Sequence, residues 1–363
     1  MISHGKFPAI KHREHTMKTL EIHGGTGSSV IQVGETLERL GRYIPSENVV
    51  IITDVNVKDL YGHKFPPHPL ITVDTGEKIK TLHTVEYICE ELVALGADRS
   101  TFIIGIGGGI VCDITGFVAS IYLRGVRFGF VSSTLLSQVD ASVGGKNGVN
   151  FKGYKNMIGV FNQPEFVICD LNLLKTLDKK EVLCGLAEIV KHAAIRDADL
   201  FGYLEEQYQK ALALDMGVVE KLVYESIVIK SAIVNRDELE KGERRKLNFG
   251  HTFGHAIEKT TGVPHGEAVS AGMVIASALS VKRGFLPAND AERIKNLLRN
   301  LRLPTRLKAD RKMVLDALKK DKKRQGDRIY FVWLNEIGHA FVDQISIGEL
   351  EAVIEEYIEP VQP

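Results

Sequence analysis

The segment Ile103-Ile104-Gly105-Ile106-Gly107-Gly108-Gly109-Ile110-Val111-Cys112-Asp113 limits the folds open to this chain more than any other stretch. It reads as a β-branched strand, a glycine cluster and then a helix, the unit from which parallel sheets with flanking helices are built. Glycines without Cβ let backbone N–H groups approach an anion such as a pyrophosphate, and the following helix N-terminus adds partial positive charge. The spacing is neither G-x-G-x-x-G nor a Walker loop. A tight strand-to-helix turn without a ligand is the alternative for the same residues.

The surrounding sequence supports the sheet. Short apolar runs at Val49–Thr53, Leu70–Val73, Thr101–Ile106, Arg127–Val131 and Phe166–Cys169 predict buried strands, and Lys78–Leu95 has helical spacing between two of them. A mainly parallel α/β sheet binds ligands at the carboxyl ends of its strands. Asp54 and Asn56 just past the first strand, and Glu77 and Lys80 past the second, lie where a ribose or base would be gripped. After about Leu177 helical periodicity takes over, at 179–195, 218–234, 250–260, 267–282, 290–300, 312–320 and 348–357. Asp178 with Glu181 has the form of a capping box opening the first of these helices. A strand is expected only at Ile329–Trp333, and a domain boundary near residue 178. Residues 1–16 read as a polar leader ahead of Met17, with no role assigned.

The 46 basic and 46 acidic side chains cancel. Such a chain has no global field to gather nucleic acid or an anionic membrane, so any anion must be held by a specific pocket. Cys89, Cys112, Cys169 and Cys184 show no C-x-x-C spacing and read as buried free thiols. With no secretory signal and no apolar run near the roughly 20 residues that cross a bilayer, a cytoplasmic address is expected.

The second half contains an unusual density of imidazoles. Gly250-His251-Thr252-Phe253-Gly254-His255 places two on one helical face, and His265 follows after a short loop. Imidazole is a common ligand for zinc and similar ions. The motif is not H-E-x-x-H, and a three-ligand catalytic site needs one more donor, preferably a carboxylate. Hydrogen-bonded core histidines are the alternative. Glu188 and Lys191 stand one turn apart on a helix, and Lys230 is flanked by Ile227, Val228, Ile229 and Ile233. A snorkelling surface lysine is the other reading of Lys230. Lys146, Lys155, Asn156, Arg244 and Asn248 add cations and amides suited to a small phosphorylated, carboxylated molecule.

At these residues the chain resembles the 3-dehydroquinate synthases of the sugar-phosphate cyclase superfamily. The most specific segments are Gly107–Asp113, Leu123-Arg124-Gly125, Thr134–Asn150, Lys155-Asn156, Gly185–Lys191, Leu247–Glu258 and His265–Ala268. The resemblance implies a Rossmann-like α/β N-terminal domain binding NAD (17–177) and an all-helical C-terminal domain (178–363) carrying one zinc or cobalt ion and the substrate. The implied metal ligands are Glu188, His251 and His265, which moves His255 from ligand candidate to phosphate contact. The implied phosphate group is Lys146, Asn156, Asn248, His255 and Lys322, with Arg124 entering from the other subunit of a homodimer. Lys230 and Arg244 are similar to residues holding the substrate carboxylate, and Asp140, Lys191 and Glu240 to groups around the reacting hydroxyls. For NAD the matching positions are Asp54, Asn56, Glu77, Lys80, Gly108, Gly109, Asp113, Ser133, Thr134, Leu136 and Lys155.

The implied reaction converts 3-deoxy-D-arabino-heptulosonate 7-phosphate into 3-dehydroquinate and phosphate, in the shikimate pathway of aromatic amino acid biosynthesis. It runs by transient oxidation with NAD, β-elimination, reduction and intramolecular aldol closure. A sibling cyclase, or a metal-dependent NAD polyol dehydrogenase, is the alternative. Ser133 and Asn147 stand where the family more often has Thr, and Ala256–Pro264 is a short segment between His255 and His265.

Overall fold

The computed structural model describes residues 17–319 and 324–360. From the N-terminal side, a hairpin of β1 (Lys18–Gly24) and β2 (Gly27–Val33) precedes β3 (Val49–Asp54), α1 (Val55–Tyr61), β4 (Leu70–Val73) and α2 (Leu82–Ala94). There follow β5 (Phe102–Gly107), α3 (Gly109–Ile121), β6 (Arg127–Ser132), a second hairpin of β7 (Lys146–Phe151) and β8 (Tyr154–Phe161), and β9 (Phe166–Cys169). Five strands stand within a residue of where the apolar runs placed them.

Seven strands form one sheet in the order β1-β2-β9-β6-β5-β3-β4, parallel throughout except for the β1–β2 pair. Phe102, Ile104, Ile106, Val131 and Ile168 fill one face with Leu37, Leu40, Val57 and Leu173. The other face joins Ile103, Phe128, Phe130 and Val167 to α3 and to the apolar sides of the later helices in one contiguous core. Both faces are covered, which is why these strands read as continuous apolar runs.

The helix expected over Lys78–Leu95 starts later. Thr81 is its N-cap, accepting from the Thr84 amide, and Glu77–Ile79 form a separate turn. Glu77 and Lys80 are therefore outside the helix and free to meet the β7–β8 hairpin. That hairpin has no strand-like apolar alternation, so periodicity gave no sign of it. Its Gly148 and Gly159 face each other across the ladder, and a Cβ on either would lie within 2.5 Å of the opposite backbone. Asn147 seats it on α3, against Gly116, and donates to the carbonyls of Gly145 (3.1 Å) and Asn162 (2.8 Å).

Beyond β9 the chain is mainly helical: α4 (Lys179–Arg196), α5 (Ala198–Leu212), α6 (Met216–Arg236), α7 (His251–Thr261), α8 (His265–Lys282) and α9 (Ala288–Asn300). After β10 (Lys308–Ala309) come α10 (Arg311–Lys319), β11 (Arg324–Gln325), β12 (Arg328–Glu336), β13 (His339–Ser346), α11 (Ile347–Tyr357) and β14 (Glu359–Pro360). The strand expected at Ile329–Trp333 is the middle of β12, and it pairs with β13 in a small sheet that helical periodicity did not foreshadow. No helix among the described residues is long and apolar enough to cross a membrane.

Helices α7 and α8 approach almost backbone to backbone. A Cβ on Gly272 would lie 2.0 Å from the Gly250 carbonyl oxygen and 2.9 Å from the Gly254 nitrogen. Backbone atoms cannot swing aside, so Gly272→Ala is expected to cost at least ~1–3 kcal/mol, the usual penalty of overpacking. It should also disperse His251 and His265, which these helices carry. Circular dichroism melting tests this, and an unchanged midpoint would mean that the helices have slack.

Candidate active site

Three helices meet at a buried carboxylate. Glu188 of α4 is fully buried, and its Oε1 lies 3.4 Å from His251 Nε2 of α7 and 3.2 Å from His265 Nε2 of α8. One donor atom from each of the three lies within 4.8 Å of the others. The short connection makes this possible: Gly262, at φ 72°, ends α7, and α8 opens on His265 three residues later. His251 Nδ1 faces the Phe249 carbonyl at 3.1 Å. A carbonyl only accepts, so Nδ1 carries the proton and the Nε2 lone pair points at Glu188. Burial keeps His251 neutral by pushing its pKa down. His265 differs. Burial works against its charge as well, but Glu188 and Glu258 on its two nitrogens prevail and raise it to about 10. Without an ion this imidazole is protonated, and ion binding must release that proton.

A second cluster adjoins the first. Lys191, one turn after Glu188, forms ion pairs with Glu188 and with Asp140 Oδ2 (3.2 Å). Lys230 of α6 forms an ion pair with Asp140 and donates to its backbone carbonyl at 2.6 Å. Both lysines are at least 94% buried, so Lys230 does not snorkel to the surface. Asp140 lies in a single π-helical turn, Ser137–Ala141, a local widening often found at functional sites. Burial disfavours its charge, yet the two ammonium groups hold its carboxyl well below the usual carboxylate range.

The connection from α6 to α7 supplies the next layer. Arg244, 2% exposed, donates to the carbonyls of Gly144 (2.8 Å) and Glu238. Glu240 accepts from Lys146 and Asn248, and it holds φ at 60°. Asn156 is likewise left-handed, at φ 49°. Such conformations cost non-glycine residues about 1–3 kcal/mol and tend to cluster at functional sites.

The glycine loop faces the same region. A Cβ on Gly108 would meet Thr134 at 2.9 Å, and one on Gly109 would meet Ala141 at 2.8 Å, so only bare backbone fits there. Ser133 is buried and donates its amide to the Gly107 carbonyl (2.9 Å), which ties the end of β6 to that of β5. Thr134 Oγ1 accepts from the Ser137 amide, and Leu136 is half-buried beside it. Lys80 forms an ion pair with Asp113 and donates to Asn156 Oδ1 at 2.6 Å. Asp54 caps α1, with Asn56 exposed in its first turn. A cleft of about 450 Å³ lined by Asp74, Ile79, His83, Thr84 and Tyr87 opens beyond β4.

Comparison with known proteins follows this geometry closely. Residues 70–184 match the model of the 3-dehydroquinate synthase N-terminal family, and 185–324 match that of the C-terminal family. The chain belongs to the 3-dehydroquinate synthase family. A 3-dehydroquinate synthase from Dehalococcoides mccartyi is 39% identical over 336 residues, covering 89% of this chain and 94% of the relative. Among solved structures, a 2-deoxy-scyllo-inosose synthase complexed with carbaglucose-6-phosphate, NAD+ and Co2+ superposes with a TM-score of 0.85 at 27% identity. It covers 94% of this chain and is itself fully covered. A 2-epi-5-epi-valiolone synthase from Streptomyces hygroscopicus, with NAD+ and Zn2+ bound, gives 0.83 at 26% identity, covering 97% and 99% of the two chains.

Most residues singled out in the sequence converge, with three qualifications. His255 is exposed, its ring centroid 5.1 Å from that of His251 and 6.1 Å from that of His265. Arg124 stands apart on the surface after α3. Lys322 lies outside the described residues. Two participants were not singled out. Glu258 accepts from Lys155 at 2.8 Å and faces His265 Nδ1 at 3.3 Å. Asn150 donates to Glu77 Oε1 (2.7 Å) and accepts from the Asn156 amide (2.9 Å). Lys155 also lies 3.6 Å from Glu77, so a polar chain runs from the histidines to the nucleotide side. Helical spacing from His251 was the available sign for Glu258; nothing local marked Asn150.

Proposed function

We propose that this chain is a 3-dehydroquinate synthase dependent on NAD and one divalent ion, zinc or cobalt. It converts 3-deoxy-D-arabino-heptulosonate 7-phosphate to 3-dehydroquinate and phosphate. The observation that carries this reading is the convergence of Glu188, His251 and His265 beside a cage of lysines, in a chain of this family. One carboxylate and two neutral-capable imidazoles suit a borderline divalent ion, and the bare-backbone cradle at Gly108 and Gly109 suits a pyrophosphate. NAD supplies reversible hydride removal, and the ion supplies Lewis acidity.

The chain's own residues bind and orient. Asp54, Asn56, Glu77, Lys80, Gly108, Gly109, Asp113, Ser133, Thr134, Leu136 and Lys155 surround the NAD. Lys230 and Arg244 take the substrate carboxylate, while Lys146, Asn156, Asn248, His255 and Lys322 take the phosphate. Asp140, Lys191 and Glu240 line the reacting hydroxyls. Asp140 is a weak base because two lysines hold it, and Glu240 is engaged by Lys146. The departing phosphate of the substrate, gripped by cations, is then the acceptor for the proton leaving carbon.

In this reading residues 17–177 hold NAD and 178–363 hold the ion and substrate, with Asp140, Lys146 and Asn156 reaching the substrate from the first part. Arg124 completes the phosphate site of a second subunit in a cytoplasmic homodimer. Its support is the exposed corner at Ile121, Leu123 and Arg124, where Leu123 and Arg124 hold φ at 50° and 68°.

The decisive assay gives purified protein zinc, NAD and the heptulosonate phosphate. Phosphate and 3-dehydroquinate are expected in equal amounts, with no net NADH and with arrest by a chelator. No phosphate release from metal-replete protein would overturn the proposal, and net NADH would favour a polyol dehydrogenase.

A further inference from the structure

Glu238 lies between the α6 terminus and the residues assigned to substrate, yet it points away from them. Its side chain reaches back to the turn of the β1–β2 hairpin. There it accepts from the Thr26 hydroxyl and from Gln163 Nε2 at 3.0 Å. The cradle is shaped for it: a Cβ on Gly24 would lie 2.2 Å from Glu238 Oε1, and the three atoms nearest to that Cβ all belong to Glu238. The hairpin is also fastened to the end of α6, where the His23 amide donates to Asn235 Oδ1 at 3.0 Å.

The main chain of Glu238 faces the other way. Its carbonyl accepts from Arg244, whose second terminal nitrogen holds the Gly144 carbonyl. Asp237, next door, folds the following residues by accepting from the amides of Lys241 (2.9 Å), Gly242 (2.7 Å) and Arg244 (3.0 Å). Glu240 sits inside that loop in its left-handed conformation. Gln163 serves both sides, since a Cβ on Gly145, next to Lys146, would meet its amide at 2.8 Å. Asp237 thus shapes the loop, while Glu238 anchors it to the far edge of the sheet.

We infer that Glu238 is a positioning residue, a latch through which the β1–β2 turn sets the 237–244 loop so that Arg244 and Glu240 meet the substrate. The inference rests on the roles proposed above for Arg244 and Glu240. The residues of the latch are not among those assigned to the ion or the nucleotide. Its loss should therefore fall on substrate binding.

Two variants attack the contact from opposite sides. Glu238→Ala removes the carboxylate. Gly24→Ala fills its seat, at a residue whose φ is not left-handed. Each is expected to raise KM for the heptulosonate phosphate about tenfold, the loss of roughly one charge-assisted hydrogen bond, with a smaller fall in kcat. NAD affinity and zinc content should stay at wild-type values. The double variant should be no worse than the worse single one, because both remove one interaction. Thr26→Ser, which keeps the hydroxyl, should retain the wild-type KM. Hydrogen exchange at the Lys241–Arg244 amides should accelerate in both single variants, whatever the substrate proves to be, which separates failure of the latch from failure of the proposed reaction. Unchanged exchange and KM, multiplicative effects in the double variant, or equal loss of NAD and zinc would each overturn the inference.

Discussion

Replacing His251 by alanine is expected to strip the divalent ion from the protein, whereas replacing His255 should leave the ion and weaken the substrate. The two residues share a helix face and look alike in sequence, but their surroundings differ. His251 is buried, proton-bearing at Nδ1 and aimed at Glu188 through Nε2. His255 is exposed on the next turn. Loss of a supporting contact around a metal costs about 10–100-fold in affinity, and loss of a ligand should exceed that range. Loss of one hydrogen bond to a charged phosphate costs about 1.5–3 kcal/mol, or roughly 10–100-fold in KM. Metal analysis after gel filtration, with steady-state kinetics on zinc-replete protein, separates the two. Equal metal loss in both variants would show that the pair is divided wrongly.

The second large effect is expected at Asp140. Asp140→Asn leaves Lys230 without a carboxylate and Lys191 with Glu188 alone, both lysines being nearly inaccessible. Removing one partner of a buried ion pair typically costs about 3–5 kcal/mol, because the remaining charge is stranded. A clear drop in the thermal midpoint should accompany loss of activity. Adding Lys230→Met should restore much of the stability and none of the activity, since the stranded charge goes but the substrate contact does not return.

The effect at Asp140 has a definite pH sign. Its folded pKa is depressed, so its contribution is complete above the unfolded carboxylate value near ~4 and fades as pH falls below it. The stability gap between wild type and Asp140→Asn should therefore narrow below about pH 4. A gap that widened on acidification would contradict the assigned ion pairs.

Much of the fold was legible because its signals are local. Buried parallel strands announce themselves as apolar runs, so β3, β4, β5, β6 and β9 could be placed from the sequence. The hairpins were not legible. The ladder of β7 and β8 depends on Gly148 and Gly159 facing each other and on Asn147 docking against Gly116, none of which leaves a periodic trace. In the site, Lys230 shows the same limit. An apolar neighbourhood marked it as odd, but only the π-helical turn that brings Asp140 to it explains why a cation is tolerated there.

What the sequence determined by itself was the kind of chain: a glycine loop closing a buried strand, a dense set of imidazoles, balanced charge, and motif blocks in the order of one family. The glycine loop and the imidazole set depend on neighbours a few residues apart, while charge balance and block order are read by counting along the chain. The tertiary structure decided which imidazole meets Glu188, which carboxylate answers each lysine, how Glu258 and Asn150 enter the site, and that Glu238 turns away from it. Each of these choices requires side chains from separate elements to arrive within a few ångströms. Ligand geometry, desolvation and pKa act over that distance, and separation along the chain carries little information about it.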